Sequence, residues 1–160
     1  AVLSGIVLDT KNFTLRTGSR TFEAAAFLRR AGADTTDVKK LLQNDLQSTI
    51  ARYNIIKNAK VYRDGIAIAG TESAGSRIIA AQAADELLNV AGIQASFVIF
   101  DDGDGISISA RSIGNINVQV ILEKLGGGGN KSTAGAQIKG ATHEQVLQRL
   151  LEAIDSYTAS

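Results

Sequence analysis

Near residue 58 the hydrophobic pattern of the chain changes period, and this change limits the fold more than any other feature. Before it, the spacing is helical over most of the length. After it, runs of strand character alternate with runs of helical character. Residues 95–100 are almost continuously apolar and predict a buried strand. Residues 105–110 place Ile106, Ile108 and Ala110 in alternation with Ser107 and Ser109, the pattern of a half-exposed strand. Residues 59–62 and 66–69 flank Asp64-Gly65 and read as a hairpin, 70–75 read as a loop, and 136–139 as an edge strand. Helical spacing runs through 77–90, 117–125 and 142–157. Thr142 and Gln145 have the spacing of a capping box at the start of the last of these. A segment built this way buries its apolar faces as an α/β lobe, a mixed β-sheet of about four to five strands flanked by helices.

Residues 1–57 read differently. The apolar stretch 1–8 opens without a cap, as if it were the end of an element that starts elsewhere, and Asp9-Thr10 begins a polar turn. A helix is expected over 21–31, with Ser19 as N-cap and Gly32 past its end. A second is expected over 36–43, a break at Asn44-Asp45, and a third over 46–58. The expected domain organisation is 1–57, a small helical unit, and 58–160, the α/β lobe.

Composition narrows the chemistry. The chain has 160 residues, 44% of them hydrophobic and 21% charged, as in ordinary globular proteins. The net charge of +1 gives no overall field for duplex nucleic acid or an anionic membrane surface. The absence of cysteine excludes disulfides, thiolate metal sites and a cysteine nucleophile. His143 is the only histidine, so a histidine-rich metal site has no second member; it is expected on the surface of a first helical turn. No apolar run approaches the length of a membrane span, and no signal peptide is visible. No methionine occurs, even at position 1, which is expected of a chain that begins inside a longer protein or has been processed.

Two constellations bear on function. The first is the run Gly126-Gly127-Gly128-Gly129, followed by Asn130, Lys131 and the small-residue stretch 132–136. Glycines permit positive φ and close approach of another molecule, so the run reads equally as an anion-cradling loop or as a linker. The second is Ser109-Ala110-Arg111-Ser112 at a strand end, with Asn117 at the next helix start. An arginine here can hold a phosphate through two parallel hydrogen bonds; read locally, it is a surface residue in a strand-to-helix turn. The two constellations meet only if the chain folds back after Gly129. Asp9 by itself reads as a turn residue. Arg16, Arg20, Arg29 and Arg30 read as surface charges, and Asp101-Asp102-Gly103-Asp104-Gly105 as a hairpin turn rather than a calcium loop, lacking its distal glutamate.

Taken in order, Ser109-Ala110-Arg111-Ser112, Asn117-Val118-Gln119, the glycine run and Ala134-Gly135-Ala136-Gln137 resemble the DHHA1 lobe of DHH–DHHA1 phosphodiesterases. Residues 5–13 and 16–22 resemble the end of the preceding DHH lobe. The likeness covers essentially the whole chain and is strongest to the GdpP-type branch, membrane-anchored enzymes that hydrolyse cyclic-di-AMP to linear pApA. It implies a bilobed protein with a two-manganese (Mn2+) centre in the DHH lobe and substrate held by the DHHA1 lobe. On that pattern Asp9 is the last metal-binding aspartate. Arg111 and Ser112 are substrate-phosphate contacts, and Gly127, Gly128, Gly129, Asn130 and Thr133 belong to the substrate loop. The expected partners are cyclic-di-AMP or a short linear dinucleotide, the DHH lobe, and a second copy in a homodimer; the expected location is the cytosolic side of a membrane. The earlier DHH motifs are not in this sequence, so the chain alone is expected to hydrolyse nothing. It departs from the family at Asn130, where histidine usually follows the glycines; asparagine does not titrate near neutrality. The competing expectations are a nanoRNase-type exonuclease on short oligonucleotides and a non-catalytic nucleotide-binding module.

Overall fold

The structure, a computed structural model, describes residues 35–63, 65–74 and 77–159. The chain divides into two compact units, Ala1–Ala51 and Arg52–Ser160. In the first, the described residues belong to helix α1 (Thr35–Lys57), which continues into the second. The expected break at Asn44-Asp45 is absent: one helix of 23 residues replaces two short ones. Asparagine and aspartate are mediocre helix formers, each costing well under about 1 kcal/mol relative to alanine. With no glycine or proline nearby, nothing interrupts the i→i−4 ladder. The helix expected over 21–31 lies outside the described residues, as do Asp9 and the apolar stretch 1–8.

The second unit is a mixed sheet with helices on both faces. Its elements are β1 (Lys60–Arg63), β2 (Ile66–Ala74), α2 (Arg77–Leu87), β3 (Ala95–Asp101), β4 (Ile106–Ser112), α3 (Val118–Glu123), β5 (Gly128–Gly129), β6 (Thr133–Ile138) and α4 (His143–Ala159). The sheet order is β1-β2-β3-β4-β6-β5. Only β2 and β3 run parallel, as a strand–helix–strand crossover through α2 requires. All other neighbours are antiparallel.

Alternation along the strands sorts side chains to two faces. On one face Ile66, Ile68, Phe97, Ile99, Ile106, Ile108, Ala110 and Ile138 meet Val118, Ile121 and Leu122 of α3 and Val146, Leu150 and Ile154 of α4. This is the main core, and burial of each large aliphatic side chain contributes about 1.5–3 kcal/mol. On the other face Ala69, Val98 and Phe100 pack beneath Ala80, Ala83, Ala84 and Leu87 of α2, with Ile55 of α1. Arg52, only 1% exposed, pairs with Glu86 at 3.0 Å and donates to Gln82 Oε1 at 3.0 Å, fastening the end of α1 to α2. The capping box is present in both directions: Gln145 N–H donates to Thr142 Oγ1 at 3.1 Å, and Thr142 N–H to Gln145 Oε1 at 3.0 Å.

Three strand expectations need correction. Strand β2 runs to Ala74 rather than ending before a loop at 70–75, because pairing continues from Thr71↔Phe100 to Ala74↔Asp101 across an irregularity. Strand β6 is not an edge: it lies between β4 and β5. The sheet has six strands, the unforeseen one being the glycine pair Gly128-Gly129, which pairs with Gly135 and Ala134.

Close backbone contact explains two of the four glycines of the run, Gly127 and Gly129. A Cβ on Gly127 would lie 2.3 Å from Gly135 O, and one on Gly129 2.3 Å from Thr133 O. Gly129 also has φ +149°. A Cβ on Gly128 would meet nothing within 4 Å. Gly127→Ala and Gly129→Ala are therefore expected to destabilise the lobe by about 1–3 kcal/mol through overpacking against backbone. Gly128→Ala should stay within about 0.5 kcal/mol of the parent. Thermal unfolding of the three variants checks this; equal effects at 127 and 128 would sink it.

Candidate functional site

Strand β6 returns antiparallel to β4 in the register Ser107↔Gln137, Ser109↔Gly135 and Arg111↔Thr133. The chain thus folds back after Gly129, and the two constellations share one end of the sheet. Odd-numbered residues of β4 and β6 point to the α2 face. There α2 packs over β2 and β3, and the adjoining surface of β4, β6 and β5 carries mostly serine and glycine. The result is a cavity of about 500 Å³ whose lining includes Arg77, Phe100, Ser107, Ser109, Gly126–Gly128 and Gln137.

The polar groups of this cavity are ordered by Asp102. Its carboxylate accepts from the Ser107 hydroxyl, from Gln137 Nε2 at 2.7 Å, and from the backbone N–H groups of Asp104 at 2.8 Å and Gly105 at 3.0 Å. The Ser107 hydroxyl foremost, then the Asp104 amide, hold its carboxyl down from the ordinary 3.8 to about 2. The turn 101–105 is thus a hairpin turn whose aspartate reaches across the sheet to β6. Ser109 is 7% exposed and lines the cavity.

The residues singled out by the sequence are placed as follows. Arg111 lies on the same strand face as Ser107 and Ser109 but outside the cavity lining. Its Nε stands 3.2 Å from Asp85 Oδ1 of α2, and its Nη1 donates to Ala110 O at 2.8 Å. Ser112 points to the opposite face, is buried, and donates to Lys131 O at 3.0 Å. Its own N–H donates to Ser132 O at 2.9 Å, and Val118 N–H to Lys131 O at 3.0 Å. The turn after β5 is therefore pinned to β4 and to the start of α3. Asn130 closes that turn. Its Oδ1 accepts from Ser132 N–H and Thr133 N–H, both at 3.0 Å, and from the Ser132 hydroxyl at 3.2 Å. A neutral imidazole, with one acceptor nitrogen, could not accept all three. Gly127 and Gly128 line the cavity, whereas Gly129 and Thr133 stand at its β5–β6 end. Asn117 caps α3 by accepting from Val120 N–H at 3.2 Å.

His143, expected on the surface, is half-buried: its ring lies against Gly70, where a Cβ would come within 2.7 Å of Nε2. It lines a second cavity of about 480 Å³ on the α4 side, which is apolar and holds none of the residues singled out for ligand binding. Among the described residues no group of three or more His, Asp or Glu side chains converges to hold a metal ion, and Asp9 lies outside them.

Sequence reading missed Arg77, Phe100 and Gln137, and read Ser107 and Ser109 as the solvent side of a half-exposed strand. The serines are 3% and 7% exposed. The available signal was small polar residues at alternate positions of an apolar strand, opposite Gly135 and Gln137.

The model of the DHHA1 domain matches residues 63–160, and the chain belongs to that family. Over 98% of its length it is 53% identical to the cyclic-di-AMP phosphodiesterase PdeA of Listeria monocytogenes. It is 51% identical, again over 98%, to the cyclic-di-AMP phosphodiesterase GdpP of Geobacillus thermodenitrificans. In both cases it spans 24% of the relative's length. Among solved structures, an exopolyphosphatase-related protein from Bacteroides fragilis shares the fold, with a TM-score of 0.63 and 20% identity over 95% of this chain and 48% of that one. No described helix is long and apolar enough to cross a membrane.

Asp102 supplies a pH test. A carboxyl whose pKa is lowered by folding contributes stability that is complete above its unfolded value and is lost as pH falls through its folded value. With 3.8 unfolded and about 2 folded, the contribution should disappear between about pH 4 and pH 2. Asp102→Asn should lower the melting temperature at neutral pH, and the gap to the parent should narrow across that window. A gap that stays constant from pH 7 to pH 2 would contradict the assignment.

Proposed function

We propose that this chain is the substrate-binding portion of a manganese-dependent phosphodiesterase that opens cyclic-di-AMP to linear pApA. The observation that carries the reading is the cavity floored by the glycine run and the β4 serines, beside Arg111. Backbone without side chains lets a nucleotide approach closely, and an arginine near its edge suits a phosphodiester. The similarity to proteins named as cyclic-di-AMP phosphodiesterases, over nearly all of this chain, supports the same substrate.

In this reading Arg111 and the glycine amides orient the dinucleotide, and Asn130 and Ser112 hold the loop that presents it. Manganese would supply the activated water, and Asp9 is the one residue of this chain we assign to it. The described residues hold no such centre, so the remaining ligands are assigned to the rest of the protein, and this chain alone binds without hydrolysing. We place the region on the cytosolic side of a membrane-anchored protein that self-associates.

Calorimetric titration with cyclic-di-AMP and with linear pApA, with and without manganese, tests this. The expected result is metal-independent binding that favours the cyclic form, weakened about tenfold or more by Arg111→Ala, the loss of a charge-assisted hydrogen bond. Absence of binding would overturn the reading for this chain, and tighter binding of pApA would favour the exonuclease-type alternative. Turnover by the chain with manganese would refute the division of labour.

A further inference from the structure

We propose that the apolar cavity between β1, β2 and α4 is a second ligand site, and that it takes a single-chain aliphatic carboxylate. It lies on the face of the sheet opposite the glycine-floored cavity, and the proposal does not depend on the function proposed above.

Three elements shape the site. Lys60 of β1 pairs directly with Ile68 of β2, so both side chains stand on the α4 face. Helix α4 brings His143, Leu147 and Leu151 to the same space, each one turn after the last. With Ile68, Gly70 and Ile99 as floor, the cavity measures about 480 Å³, within the ~300–1,000 Å³ usual for small-molecule sites. One turn beyond Leu151, Asp155 accepts from the Tyr62 hydroxyl and from Arg63 Nε, both at 2.8 Å. This tie fastens β1, an edge strand exposed at all four residues, to α4 and keeps the Tyr62 ring in the cavity wall.

The end near His143 is polar and incompletely satisfied. The ring rests on Gly70, where a Cβ would come within 2.7 Å of Nε2, so the strand carries glycine where the ring sits. His143 Nδ1 is buried and has no hydrogen-bond partner. Buried polar atoms normally find one, because leaving the bond unmade costs the desolvation of the group. Asn58 lines this end too, two residues before Lys60 as Gly70 is two beyond Ile68. Its Nδ2 donates to Asn54 O at 2.9 Å, which uses one of two amide hydrogens.

Charge and shape select the ligand. The lining holds one ammonium, that of Lys60, and no carboxylate. Lys60 is exposed and makes no ion pair among the described residues. A carboxylate seated here accepts from Lys60, from the Asn58 amide and from the Nδ1–H tautomer of His143. Tyr62 is the one aromatic ring of the lining, so no pair of faces is present to stack a nucleobase. The walls beyond the polar end are Ile68, Leu147 and Leu151, which suit an alkyl chain.

The test uses the 160-residue chain with decanoate, octanoate and decanol, each below its micelle-forming concentration. Binding is measured by calorimetry and mapped by amide correlation spectra, for the parent, Leu147→Trp and Lys60→Gln. Lys60 is exposed, so its variant keeps the test valid if Leu147→Trp fails to fold. One decanoate is expected to bind per chain and to shift the amides of Gly70, His143 and Leu147. Its affinity should exceed that of octanoate about tenfold, for two further buried methylenes. Lys60→Gln should weaken it about threefold, as befits an exposed ion pair, and Leu147→Trp should abolish it by filling the groove. Absence of saturable binding, equal affinity for the two acids, or decanol bound as tightly as decanoate overturns the proposal. So does binding only to phosphatidylglycerol vesicles, which makes the groove a contact for a lipid surface. Self-association that Leu147→Trp removes overturns it as well, by placing a second copy of the chain in the groove.

Discussion

Backbone lies against backbone where the glycine run meets β6. At Gly127 and Gly129 there is no room for a Cβ beside Gly135, Thr133 and Ala134. From that close approach follow the pairing of Gly128 and Gly129 with β6 and the tight turn over 130–133. The carbonyls of that turn accept from Ser112 and Val118. Van der Waals repulsion is steep, so this arrangement tolerates little change, and it fixes the position of Gly128, where space is open. The conformational freedom given up by four glycines is offset by making a loop rigid at two positions and accessible at a third.

The cavity has a similar origin in small side chains. Three alanines of α2 let the helix sit close over Val98 and Phe100, and α2 carries on consecutive residues the partners of two arginines. Asp85 faces Arg111 and Glu86 faces Arg52. The first pair is partly exposed and contributes about 0–1 kcal/mol. The second is buried, so removing one partner would strand a charge and cost several kcal/mol. One turn of α2 therefore sets both where the helix rests and where Arg111 can reach.

The parts legible in the sequence are those settled by neighbours along the chain. The capping box at Thr142 and Gln145, the cap at Asn117 and the burial of residues 95–100 depend on local spacing, and each is present. The parts that were not legible depend on distant partners. Residues 70–74 contain glycine, threonine and serine, and read as loop; pairing with β3 makes them strand. Asn44 and Asp45 read as a break, and the helix passes through them. Ser107 and Ser109 alternate with isoleucines and so read as solvent-facing. Their burial depends on Asp102, Gly135 and Gln137, which no local pattern brings together. The family resemblance brought Arg111 and the glycine loop into one region; Ser109 belongs to the same stretch as Arg111 but drew no role from it, and Arg77 lies outside every stretch that carries the likeness.

The two margins of the sheet differ from its interior. At one, β1 is four residues long, is exposed throughout, carries Lys60 and Arg63, and is interrupted by a bulge between Val61 and Arg63. At the other, β5 is two glycines. Neither offers another chain the long, flat, uncharged row of peptide groups on which strand-to-strand polymerisation grows. The glycine pair that leaves the cavity open thus also ends the sheet in a stub, and a lobe with a β-rich core presents little template for aggregation.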